Sequence, residues 1–181
     1  DTTATVASDV MLGGVLDGAF KLTKAGGGTL TLGGSNTFSG GAVLSAGAVR
    51  VGDNAAFGLG DVTFAGASVS SDSTAGRTLG NAFTMGGAVA LGDASKTGAL
   101  TFTGAGTLSS NTTVTAASNV LFNGGLGGGA VSFTKQGSGD VTLGGTNTFT
   151  GTVTAGAGVL VLAGGSAVND SAALTVSAGG T

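Results

Sequence analysis

Lys24-Ala-Gly-Gly-Gly-Thr-Leu-Thr-Leu-Gly-Gly-Ser-Asn-Thr-Phe-Ser-Gly40 returns about 111 residues later as Lys135-Gln-Gly-Ser-Gly-Asp-Val-Thr-Leu-Gly-Gly-Thr-Asn-Thr-Phe-Thr-Gly151. The two segments are copies. Without a gap, the correspondence runs back to Gly13-Gly14 on Gly124-Gly125 and forward to Ala46-Gly47 on Ala157-Gly158, so that residues 9–51 match 120–162. Further on, a slip of one residue sets Val62-Thr63-Phe64 on Leu174-Thr175-Val176.

A finer rhythm lies inside the long repeat. Apolar residues alternate in pairs at Val10/Leu12, Phe20/Leu22, Leu30/Leu32, Val49/Val51, Val62/Phe64, Val89/Leu91, Leu100/Phe102, Val120/Phe122, Val131/Phe133 and Val141/Leu143. Period-two alternation bounded by Gly, Asn, Asp or Ser predicts short half-buried strands separated by turns. Helix is disfavoured, because no 3.6-residue stripe persists and each glycine costs a helix about 1 kcal/mol relative to alanine.

Composition agrees with this reading. The chain has 181 residues, with Gly 39, Pro 0 and Cys 0, and it is 41% hydrophobic but only 8% charged. Glycine without proline or a triplet period excludes collagen, and the apolar content is too high for a disordered linker. Strands spaced about ten residues apart inside a repeat of about 111 suit roughly five stacked coils of about 22 residues, paired in parallel. The expectation is an all-β fold, a single β-solenoid segment over 1–181 with about eight coils, forming a rod about 40 Å long. Leu30 and Leu32 should face inward and Thr29 and Thr31 outward, with glycine at the corners.

Gly28-Thr-Leu-Thr-Leu-Gly-Gly-Ser-Asn-Thr-Phe-Ser-Gly40 and Gly139-Asp-Val-Thr-Leu-Gly-Gly-Thr-Asn-Thr-Phe-Thr-Gly151 resemble the autotransporter-associated β-strand repeat, or passenger-associated transport repeat, of bacterial type V secretion passengers. The Leu-Thr-Lys-like approach of that family stands at Leu22-Thr23-Lys24 and Phe133-Thr134-Lys135, and its Gly-x-Leu-x-Leu strand at Gly47–Val51 and Gly158–Leu162. Phe38 and Phe149 stand where the family often has Tyr. The resemblance implies a right-handed parallel β-helix, export across a bacterial outer membrane and display at the cell surface.

Chemistry-bearing residues are sparse. The chain has no His, Cys, Tyr, Trp or Glu, which removes most acid–base and nucleophilic machinery. The nine acids are Asp1, Asp9, Asp17, Asp53, Asp61, Asp72, Asp93, Asp140 and Asp170, scattered beside turn residues. They read as turn caps, although a pectin-lyase-like enzyme could use aspartates gathered on one face. Ser95-Lys96 does not read as a catalytic dyad, because adjacent strand residues face opposite ways. Gly58-Leu-Gly-Asp61 and Gly137-Ser-Gly-Asp140 lack the tandem array of calcium-binding nonapeptides. The run Gly124–Gly129 lacks the helix of a phosphate loop and reads as a corner. Threonine pairs such as Thr29/Thr31, Thr101/Thr103 and Thr113/Thr115 do not recur at one fixed coil period, so they read as solvated strand residues and not as an ice-binding face. No catalytic, cofactor-binding or metal residues are assigned, and no cofactor is expected.

The net charge of −3 offers no basic footprint for nucleic acid. The longest apolar run, Val159 to Ala163, is far short of a spanning helix, and the missing Trp and Tyr disfavour a transmembrane barrel. The expected role is a structural stalk or scaffold of a secreted, surface-displayed passenger, with adhesion to an unknown ligand as a further possibility. The alternatives are a self-assembling filament or sheath subunit pairing through its end coils, and a polysaccharide-active enzyme. Neither Asp1–Ser8 nor Ser171–Thr181 reads as a polar cap, so the coils are expected to continue or to stack on another copy.

Overall fold

The computed structural model describes residues 2–164, 166–168 and 173–181, the side chains of Thr2 and Thr3 excepted. It is a β-solenoid of about eight turns built from parallel strands, with no helix among the described residues. Three ladders run along the rod. The first face stacks Thr2–Thr5, Leu22–Ala25, Ala42–Leu44 and Val62–Phe64, then the beginnings of the long strands Phe83–Leu91 and Gly106–Ala116, then Leu126–Gly127.

The second face stacks Val10–Leu12, Thr29–Leu32, Ala48–Val51 and Ser68–Ser71, continues through the far ends of those two long strands, and ends on Phe133–Gln136, Val153–Ala155 and Leu174–Val176. The third carries Arg77–Leu79, Leu100–Phe102, Val120–Phe122, Val141–Leu143 and Leu160–Leu162. Below Arg77 the third face has no named strand, yet residues 16–20, 36–40 and 54–60 stack there through main-chain bonds such as Thr37 N to Leu16 O and Leu59 N to Phe38 O.

Alternation fixes which side chains enter the rod. Leu30 and Leu32 are fully buried while Thr29 and Thr31 are half-buried on the outside. The core is one continuous column of Leu, Val and Phe. Phe64, Phe83, Phe102 and Phe122 form its aromatic centre, with ring centroids 5.0 Å apart for Phe83 and Phe102 and 5.3 Å for the stacked Phe102 and Phe122. Burial of such side chains, at about 25 cal/mol per Å², favours stacking each coil on the next.

The coil length departs from a constant 22. It is 19 residues from Leu30 to Val49 and 25 from Leu91 to Ala116. The long coils hold the strands Phe83–Leu91 and Gly106–Ala116, which run around the corner between the first and second faces with a register shift between Met85 and Gly87. Threonines nevertheless stack in columns whose spacing runs from 20 to 23 residues. Thr23, Val43, Thr63, Thr84 and Thr107 stand one above another on the first face, and Thr113, Thr134, Thr154 and Thr175 on the second. Such cross-strand neighbours each contribute roughly 0.2–1 kcal/mol.

The long repeat is also not a whole number of coils. Leu22, Ala42, Val62, Phe83, Gly106 and Leu126 are successive partners on the first face, five coils in all, but the copy of Leu22 is Phe133, on the second face. The two copies are therefore turned by one face. Leu30 faces the core from the second face and its counterpart Val141 from the third, both fully buried. The pairs expected at Phe20/Leu22 and Val131/Phe133 begin two residues later than the alternation suggested. Phe20 and Val131 sit at corners, only partly buried, and the strands start at Leu22 and Phe133.

Candidate functional site

Those later strands each carry a lysine on the inward side. In Leu22–Ala25 and Phe133–Gln136 the inward residues are Leu22 with Lys24 and Phe133 with Lys135, and both lysines have no exposed surface. A buried ammonium needs acceptors, and the strand-to-corner turn supplies main-chain carbonyls. Lys24 Nζ donates to the carbonyl oxygens of Ala25 (3.1 Å) and Gly26 (2.7 Å) of its own turn and Ala46 (2.8 Å) of the next coil. Lys135 Nζ donates to Gly137 O and, at 2.7 Å, to Ala157 O. Burial pushes both lysines below their ordinary pKa, and for Lys135 the Asp140 carboxylate works against that.

The next coil makes room for each ammonium with a glycine. A Cβ on Gly47 would lie 2.8 Å from Lys24 Nζ and 2.5 Å from the carbonyl oxygens of Gly26 and Gly28; one on Gly158 would lie 2.5 Å from Lys135 Nζ. Both glycines also have positive φ, +73° and +67°. The Ala46-Gly47 and Ala157-Gly158 pairs, legible in the sequence as repeat matches, are the sockets for the lysines.

A second polar residue of the motif also faces inward. Asn36 Oδ1 accepts the main-chain N–H of Leu16 (2.8 Å) from the coil before, and its Nδ2 donates to Ala56 O (2.7 Å) in the coil after. Asn147 repeats the arrangement with Leu126 N (2.7 Å) and Ala167 O (2.7 Å). Each asparagine thus ties three coils together. Two residues on in each copy, Phe38 and Phe149 are wholly buried, Phe38 stacked 5.3 Å from Phe20 and Phe149 6.3 Å from Phe133. Among the described residues no buried side-chain nitrogen or oxygen lacks a partner.

The residues weighed for chemistry are dispersed. Asp9 accepts from Thr29 N, Asp17 from the Thr37 hydroxyl and Asp53 from Ala55 N. Asp72 pairs with Arg77 at 2.7 Å, and Asp93 accepts from Ser95 and from Lys96 N and lies 3.8 Å from Arg50. The Ser95 hydroxyl donates a hydrogen bond to the Asp93 carboxylate at 2.7 Å. Asp61 and Asp140 use their main-chain carbonyls, which accept from Ala42 N and Val120 N. Asp1 and Asp170 lie outside the described residues. No three acids come close enough to hold a metal ion among the described residues. Gly58 and Gly137, which open the two nonapeptide-like stretches, are positive-φ corners of coils far apart. The run Gly124–Gly129 contains the two-residue strand Leu126–Gly127 between corners.

The described aspartates lie between strands, but only Asp53, Asp72 and Asp93 cap their own turns, and the polar side chains that enter the rod are the lysines and asparagines. Their signal was present in the alternation: Leu22-Thr23-Lys24 carries Lys24 to the same side as Leu22.

Residues 22–51 and 133–162 each match the passenger-associated-transport-repeat family model, and these two segments are similar to the repeat of autotransporter passengers. Each matched segment begins two residues before a buried lysine and ends just beyond the glycine socket above it. No curated protein and no solved structure matches the chain.

Proposed function

We propose that this chain is a stalk or scaffold segment of a secreted passenger displayed at the bacterial cell surface, contributing to adhesion through its exposed faces. The observation that carries this reading is where the repeat's signature polar side chains go. Lys24, Asn36, Lys135 and Asn147 all bond main-chain groups inside the rod. A repeat defined by residues that hold coils together is a repeat selected for building the rod, and autotransporter passengers are the setting in which it occurs. Its outer faces present threonine columns with few charges, and these are the surfaces open to a ligand.

The test is surface display of the natural gene product. An antibody against residues 62–122 should label intact cells, and protease added outside should remove the label without lysis. Label appearing only after permeabilisation would overturn the reading. Adhesion is read separately, by comparing attachment of cells that display the segment with attachment of cells from which it is deleted.

A second reading, end-to-end self-association, has its own observation. Leu174 and Val176 are 54% and 59% exposed on the last strand, although they align with the buried Val153 and Ala155 beneath them. Sedimentation across a range of concentrations tests it: a constant monomer would exclude coil-to-coil stacking between copies.

A further inference from the structure

The bonds around each lysine are unequal in direction, and those of each asparagine reach to both sides. Lys24 and Lys135 reach carbonyls in their own turn and in the coil that follows, and none in the coil before. Each asparagine receives one bond from the coil before and donates one to the coil after. When the following coil is absent, the ammonium loses an acceptor at an open end of the rod and the asparagine amide loses its carbonyl. When the preceding coil is absent, the lysine loses no bond at all.

We propose that each lysine–asparagine station is a directional coil lock, which makes the contact between its own coil and the following coil the strongest step along the rod. The lock is indifferent to face. Lys24 stands between the first and second faces and Lys135 between the second and third, yet both meet an Ala-Gly socket one coil on. What the motif requires is one corner and a neighbouring coil, which the three-sided cross-section offers at every turn. Between the two locks, from Val62 to Phe122, coils are joined by main-chain ladders, by the Phe64, Phe83, Phe102 and Phe122 column and by partly buried side-chain bonds such as Arg77 Nε to Val51 O and Asn81 Nδ2 to Gly58 O, without a fully buried cation.

Mechanical peeling of the full chain from its C-terminal end tests the proposal. With the N-terminal end held in an optical trap, wild-type protein should pause twice. The first pause comes as residues 153–168 leave the Lys135 station, and the second as residues 42–60 leave the Lys24 station. Each pause should last at least about tenfold longer than those between, since a hydrogen bond to a charged group stabilises more than a neutral one. Lys135→Met should erase the first pause and leave the second. Even peeling along the whole rod, pauses confined to residues 62–122, or a first pause that survives Lys135→Met would each overturn the proposal, and the wild-type trace decides it even if the variant fails to fold.

Discussion

Lys24 Nζ and the carbonyl oxygen of Ala46 lie 2.8 Å apart although 22 residues separate them in the chain. Lys135 and Ala157 repeat that relationship at 2.7 Å on a different corner of the rod. The same polar contact, made twice in different orientations, ties a sequence motif to a local structural task and not to a fixed side of the molecule.

Replacing Lys24 with Met removes that contact while keeping most of the side-chain volume. Three partly buried carbonyls lose a donor, so the variant should be less stable by about 2–4 kcal/mol. Asn36→Leu should cost a similar amount, because it strands Leu16 N and Ala56 O. Urea unfolding monitored by circular dichroism measures both, and a loss below about 0.5 kcal/mol for either would show that the inward contacts contribute little.

The alkaline limb of stability carries the sign of the lysine shifts. Burial lowers the Lys24 pKa in the folded chain, and it lowers that of Lys135 against the opposing pull of Asp140. Between the depressed folded values and the ordinary 10.5, the unfolded chain binds more protons, so stability rises with pH through that window. With no tyrosine or cysteine in the chain, the window is free of their titration. The urea midpoint should therefore be higher at pH 10 than at pH 8, and the Lys24→Met, Lys135→Met double variant should lose the rise.

Two glycine substitutions of the same chemistry should differ in outcome. Gly47→Ala forces a Cβ against Lys24 Nζ and two carbonyl oxygens at a φ of +73°. Gly27→Ala, three residues beyond the same lysine, meets nothing within 4 Å and has no positive φ. The first should destabilise by about 2 kcal/mol or more and the second should be neutral or stabilising by up to about 1 kcal/mol. Equal thermal midpoints would contradict the socket.

Phe38 and Phe149 lie wholly inside the rod, whereas Thr31 is half-buried on its outer side. Phe38→Asp and Phe149→Asp should each cost about 3–5 kcal/mol, from lost packing and an unpaired buried carboxylate. Thr31→Asp should cost less than half as much. Coincident chemical unfolding curves for the inward and outward variants would contradict the assigned facing.

The sequence by itself determined the strand vocabulary, the duplication and most of the apolar inward set. Alternation such as Leu30/Leu32 and Val141/Leu143 needs only the two-residue period of an extended chain, and a copied motif needs only comparison of the chain with itself. The tertiary structure decided how the copies are oriented, because coil length varies from 19 to 25 residues and small local additions accumulate into a one-face turn over the long repeat. It also decided the fate of the lysines. A cation is tolerated in the core only when carbonyls from two coils converge on it, and that convergence arises from stacking residues about 20 apart, which no local pattern records.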